Sequence, residues 1–125
     1  MGGRVAYLAA AEIPELKASA IFYGGNVFKP YGDGVIPFER TEKIACPVIA
    51  FTGADDANPS PEDMRKIDAE MTRLNKPHEF HLYQGAGHAF HNFLEERYRD
   101  RAARGSWGEL VAFFDHHLRG GARAR

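Results

Sequence analysis

The sequence predicts an α/β domain with a mostly parallel sheet flanked by helices. Three observations carry that expectation. Short apolar runs at 18–23, 47–52 and 78–83 are each stopped by glycine, at Gly24-Gly25, Gly53 and Gly85. The middle run, Pro47-Val48-Ile49-Ala50-Phe51-Thr52, is apolar on both faces, as a strand buried in a parallel sheet is. Helical patterns lie between and around the runs, and alternating strands and helices build such sheets.

The first pattern, residues 3–11, places Val5, Ala6, Leu8 and Ala9 in a short apolar helix ended by Ile13-Pro14. The strand at 18–23 follows. Residues 24–44 contain glycine- and proline-rich breaks and read as an excursion over the top of the sheet. After the second strand, Ser60-Pro61-Glu62-Asp63 supplies an N-cap, a proline at the first helical position and acids in the first turn. Met64, Ile67, Met71 and Leu74 continue that helix at helical spacing until Pro77 stops it. The third strand alternates, with Phe80 and Leu82 on one face, which places it near a sheet edge. A last helix is expected over 106–118, with Trp107, Phe113 and Phe114 as core residues and Gly120-Gly121 as its stop. Before it, Glu95-Glu96-Arg97 and Arg99 to Arg104 form a charge-mixed run that reads as a solvated helix face.

A chain of 125 residues suits one domain, 1–125, with 44% hydrophobic and 26% charged residues. A formal charge of −1 provides no field to attract nucleic acid or an anionic membrane. Arg119, Arg123 and Arg125 read as a solvated tail. The single cysteine, Cys46, allows no internal disulfide and fits a reducing compartment. No apolar run reaches the roughly 20 residues that span a bilayer. Met1-Gly2-Gly3-Arg4 lacks signal-peptide anatomy. A cytoplasmic protein acting on a small molecule, without nucleic-acid or membrane partners, is expected; the oligomeric state is open.

Chemistry concentrates at two strand ends. Gly53-Ala54-Asp55-Asp56 follows the second strand, and Gly85-Ala86-Gly87-His88-Ala89-Phe90 follows the third. In open α/β sheets ligands bind beyond the carboxyl ends of the strands, so both segments can face one crevice. There a carboxylate fixes the imidazole tautomer, and the second ring nitrogen takes a proton from a nucleophile. An Asp-Gly turn and a surface histidine explain the same residues equally well, and Asp55 competes with Asp56 for the role of acid.

The two segments together, with Ile21-Phe22-Tyr23-Gly24-Gly25, the helix start at 59–63 and the aromatic helix at 107–118, closely resemble the dienelactone hydrolases. The resemblance implies the C-terminal half of an α/β-hydrolase fold and an ester or lactone hydrolase of the carboxymethylenebutenolidase type, working without a cofactor. It implies His88 as general base and Asp56 as acid, because the family places its acid three residues after this glycine. The family's nucleophile sits in a Gly-x-Cys-x-Gly-Gly elbow, and Met1-Gly2-Gly3 is similar to the end of that elbow. On this reading the Cys stands before Met1, outside the chain, and the backbone N–H of Met1 belongs to the oxyanion hole. The earlier strands are then absent as well, leaving the first strand without a neighbour on one side. Four residues after the histidine the family carries an arginine that holds a substrate carboxylate. Here Asn92 stands there, which widens the expected substrates towards carboxylesters in general. The alternative is a truncated, inactive fragment or an interaction module.

Other candidates read as structural. Cys46 lacks an elbow and precedes Pro47, as a buried thiol does. His78, His81, His88 and His91 form two His-x-x-His pairs. His78 and His81 point to opposite faces of a strand, and no metal site is expected. His116-His117 reads as a cationic helix C-terminus. Phe90 and Phe93 can line a pocket or pack in the core.

Overall fold

The computed structural model describes residues 1–32 and 34–123, with backbone alone from 120 onward. Three parallel strands, β1 (Ser19–Phe22), β2 (Val48–Gly53) and β3 (His78–Tyr83), lie in the order β1-β2-β3. Ala20 pairs with Ile49, and Ala50 with Phe80. β2 is central and every residue in it is buried. Its pleat feeds two cores. Val48 and Ala50 join Tyr7, Ile21, Ile67 and Met71 beneath helices α1 (Gly2–Glu12) and α2 (Pro61–Arg73). Ile49 and Phe51 join Ala86, Phe90, Leu110 and Phe113 beneath helix α3 (Asp100–Arg123). This two-sided burial is why the sequence of β2 is continuously apolar. β1 and β3 are the edges of this sheet.

α2 starts where its cap dictates. The Ser60 hydroxyl accepts from the Asp63 backbone N–H, and the Asp63 carboxylate accepts from the Ser60 backbone N–H. α1 buries Gly3, Arg4, Tyr7, Ala10 and Ala11, whereas Val5 is exposed, so its packed face is rotated from the apolar stripe in the sequence. Gly3 decides that rotation. A Cβ there would lie 2.5 Å from the Phe22 carbonyl oxygen and from the Gly24 Cα, so the α1–β1 crossing admits only glycine.

The excursion after β1 ends in a 3₁₀ helix, Pro37–Lys43, and is tied down from α1. The buried Arg4 guanidinium donates to the carbonyls of Asn26, Lys29 (2.8 Å) and Val35 (3.1 Å), and it stacks 3.9 Å from the Tyr31 ring centroid. Beneath it, the Tyr7 hydroxyl lies 2.6 Å from Thr41 Oγ1, which donates to the Phe38 carbonyl. Burial pushes the Tyr7 phenol up to about 12.

The last helix departs from expectation at both ends. It begins at Asp100, six residues early, because the Asp100 carboxylate takes Arg104 one turn on and the Tyr98 hydroxyl. Within the charge-mixed run, Ala102 and Ala103 are buried, while residues 91–98 form turns and not a helix. The backbone stays helical through Gly120-Gly121, since glycine costs only about 1 kcal/mol per helical position. His116-His117 is therefore not a helix C-terminus. His117 packs 4.4 Å from the Phe113 ring, and burial moves it below the ordinary histidine value. Trp107 is 59% exposed, so it lies outside the core and lines a surface cleft with Leu110, Val111 and Phe114. Arg125 lies outside the described residues. Among the described residues no helix is long and apolar enough to cross a membrane.

Candidate active site

The turns after β2 and β3 interlock backbone to backbone. The Ala86 carbonyl accepts from the Asp55 N–H at 2.9 Å, and a Cβ on Gly53 would sit 2.1 Å from that same oxygen. The Gly53 position therefore requires glycine, and its absence of a side chain lets the two turns share one register. Asp56 follows, bonded from its N–H to the Gly53 carbonyl at 3.1 Å.

This contact brings Asp56 and His88 together. His88 Nδ1 lies 2.9 Å from Asp56 Oδ2. Asp56 is 5% exposed, and its other oxygen accepts from the Asn58 N–H at 2.8 Å. Asp55, the competing acid, is exposed and contributes its backbone N–H instead. The His88 side chain is 42% exposed and lines two adjoining clefts of about 300 and 420 Å³, both of which Met1 also lines. With Nδ1 directed at the carboxylate, Nε2 is the nitrogen left for chemistry.

Two flanking residues hold this arrangement and were not singled out in the sequence. The Tyr23 ring packs 5.2 Å from the rings of His88 and Phe90. Burial raises its hydroxyl, and a hydrogen bond from the His91 backbone partly opposes that rise. Asn58 donates from Nδ2 to Asn26 Oδ1 at 2.8 Å and accepts from the Asn26 N–H at 3.0 Å, fastening the excursion to the acid-bearing turn. The signal for Asn58 was its place in the turn at 53–59. Tyr23 closes the first apolar run, a strand end like the two already recognised as carrying chemistry.

The remaining candidates lie elsewhere. Cys46 is buried in the α1–α2 core at the start of β2, whereas Asp56 lies beyond its end. Six residues of strand put roughly 20 Å between those ends, and burial raises the thiol above its ordinary value. Phe90 is fully buried and Phe93 is 90% exposed, so the first is core and the second does not line the clefts beside His88. His78 faces α2, at 2.5 Å from Asp68, and His81 faces α3, as the strand pleat requires. Carboxylates do approach His81: Glu79 lies 3.0 Å from Nε2 and Glu109 4.0 Å from Nδ1. One imidazole and two carboxylates therefore lie within 4.8 Å of one another on the α3 side of β3, a grouping the sequence reading did not foresee.

Residues 1–118 match the family model of the dienelactone hydrolases. The chain belongs to the dienelactone hydrolase family. It is 32% identical over 122 residues to a Synechocystis sp. protein assigned as a carboxymethylenebutenolidase, covering 94% of this chain and 48% of that one. It is 30% identical over 122 residues to a Bradyrhizobium sp. protein assigned as a 2-oxo-3-(5-oxofuran-2-ylidene)propanoate lactonase, covering 96% and 49%. A crystal structure from Klebsiella pneumoniae, assigned as a dienelactone hydrolase, superposes with a TM-score of 0.80 at 29% identity, covering 90% and 47%. The fold is that of the α/β-hydrolases. This dienelactone hydrolase family member spans about half the length of the curated relatives it matches.

Proposed function

We propose that this chain carries the acid and base of a hydrolase that cleaves ester or lactone bonds through an acyl-enzyme. The observation that carries the reading is the 2.9 Å contact between His88 Nδ1 and the buried Asp56 carboxylate, with the far edge of the ring open to a cleft. Buried and bonded to the Asn58 N–H, Asp56 stays an acceptor and holds the Nδ1–H tautomer of His88. Nε2 then removes the proton of a nucleophile as it attacks the carbonyl carbon, and the imidazolium returns that proton to the leaving alkoxide. Water repeats the sequence in deacylation.

Among the described residues, those lining the two clefts beside His88 include no Cys, Ser or Thr. The family implies a Cys nucleophile, in the elbow whose end Met1-Gly2-Gly3 resembles. Met1 is the N-cap of α1 and lines both clefts, which supports a role for its backbone N–H and the positive end of the helix in stabilising the oxyanion. The assigned names of the relatives favour small lactones such as butenolides as substrates. Asn92, in place of a carboxylate-binding arginine, favours esters without a carboxylate as well.

The test is complementation. The segment of the Synechocystis relative that precedes its matching region is joined ahead of Met1. The joined protein is expected to hydrolyse p-nitrophenyl acetate and to lose about 10³-fold or more in kcat with His88→Ala. The 125-residue chain alone is expected to show no rate above its own His88→Ala variant. Equal activity of the joined protein with and without His88 would overturn the reading.

A further inference from the structure

His88 sits in a loop whose backbone is not at rest. Ala89, the next residue, holds φ +61°, a conformation side chains disfavour, and Gly85 at the loop entrance holds φ +73°. Such a turn persists only where its surroundings fix it on both sides. Upstream, buried Ala86 is locked to the β2 turn through the Asp55 N–H. Downstream, Phe90 is fully buried and its carbonyl accepts from the Arg99 N–H at 3.1 Å, and next to it stands a second histidine that the proposed chemistry does not use.

His91 Nε2 lies 2.7 Å from the hydroxyl oxygen of Ser106 on α3, and Ser106 is fully buried. That hydroxyl is also placed to donate to the Ala103 carbonyl at 3.1 Å, which leaves its oxygen to accept from the Nε2–H tautomer of His91. The ring is held edge-on against Phe22 at 5.2 Å and beside Phe90 at 5.4 Å. The Tyr23 ring lies against both His88 and Phe90 at 5.2 Å. His91 thus joins the loop to α3 through Ser106 and to the end of β1 through its ring on Phe22.

We infer that His91, anchored on Ser106, is a positioning residue that holds the strained Ala89 turn and thereby keeps His88 Nδ1 on Asp56. This inference rests on the functional reading above only for its consequence; the geometry it concerns is observable without catalysis. Removing the anchor lets Ala89 relax to an ordinary φ, and the His88 ring swings from the carboxylate into the cleft.

The experiment is proton NMR of the 125-residue chain, reading the low-field Nδ1–H resonance of a histidine bonded to a carboxylate. The wild type is expected to show it, and Asp56→Asn to abolish it. His91→Ala and Ser106→Ala are each expected to lose it while the helical circular dichroism is retained. His91→Gln, whose amide can still donate to Ser106, is expected to restore it. Ser106→Ala removes one hydroxyl from a helix that tolerates alanine, so it answers the question should His91→Ala unfold. A wild-type spectrum without the resonance, or one indifferent to Asp56→Asn, would contradict the Asp56–His88 pairing itself. A resonance lost in Asp56→Asn but unchanged in both anchor variants would overturn the positioning role alone.

Discussion

Gly53 and Ala86 meet so closely that a single methyl group on Gly53 would lie 2.1 Å from the Ala86 carbonyl oxygen. That oxygen already accepts from the Asp55 N–H. The turn bearing the acid and the turn bearing the base are therefore one packed unit, and Gly53→Ala is expected to separate them. The predicted cost is about 2 kcal/mol or more, from displaced backbone and a lost buried hydrogen bond. Urea unfolding with a fitted midpoint checks it, and an unchanged midpoint would show that the turns adjust independently.

Arg4 is a buried cation whose hydrogen bonds go to the carbonyls of Asn26, Lys29 and Val35. Arg4→Met removes the guanidinium's hydrogen bonds to those three oxygens. Its expected cost is about 2 kcal/mol or more, since hydrogen bonds to charged groups are the stronger class. Limited proteolysis should then cut within residues 26–35 faster than in the wild type.

Tyr7 sets an alkaline limit. Its phenol is raised from 10.0 to about 12 by burial. Between those values the unfolded chain has released the proton and the folded chain retains it, so the folded state binds more protons and loses stability as pH rises. The loss is at most about 1.4 kcal/mol per pH unit. Tyr23 and Tyr83 are raised by burial as well and add to it. Tyr7→Phe should lower stability at neutral pH by about 1 kcal/mol through the lost Thr41 contact, and should flatten the decline above pH 10. Chemical denaturation as a function of pH measures both.

His91 acts in the opposite direction. Burial holds it below its ordinary value of 6.5, so the unfolded chain takes up the proton first. Its contribution is present above pH 6.5 and lost as pH falls through the lower folded value. His117, lowered mainly by burial, follows the same sign. Denaturation midpoints compared at about pH 7 and about pH 5 should fall in the wild type and fall less in His91→Gln.

The strands, the Ser60 cap and the two strand ends that carry Asp56 and His88 were legible because each depends on local sequence. Two-sided apolarity marks β2, a proline and acids mark α2, and glycines mark the two strand ends. What was not legible depends on contacts across the fold. Nothing near Arg4 in the chain shows that it reaches the carbonyls of residues 26–35, and nothing near Gly3 shows that Phe22 and Gly24 will crowd it. Asn26 and Asn58 stand 32 residues apart and pair only because the excursion folds back over the β2 turn. α3 was misjudged for a related reason. Its first turn is written in charges, which periodicity reads as solvated, while the two alanines between them make the contact. Its aromatic stripe is only partly covered, so Trp107 was assigned to a core it does not enter.

A double-mutant cycle on Asp56 and His88, with kcat for p-nitrophenyl acetate in the joined protein as the readout, decides whether the two side chains act as one unit. If Asp56 works only through His88, Asp56→Asn and His88→Ala each depress kcat, and the double variant is no slower than His88→Ala alone. Losses that simply add, or an Asp56→Asn variant with undiminished kcat, would show that the buried carboxylate and the imidazole do not share the chemistry.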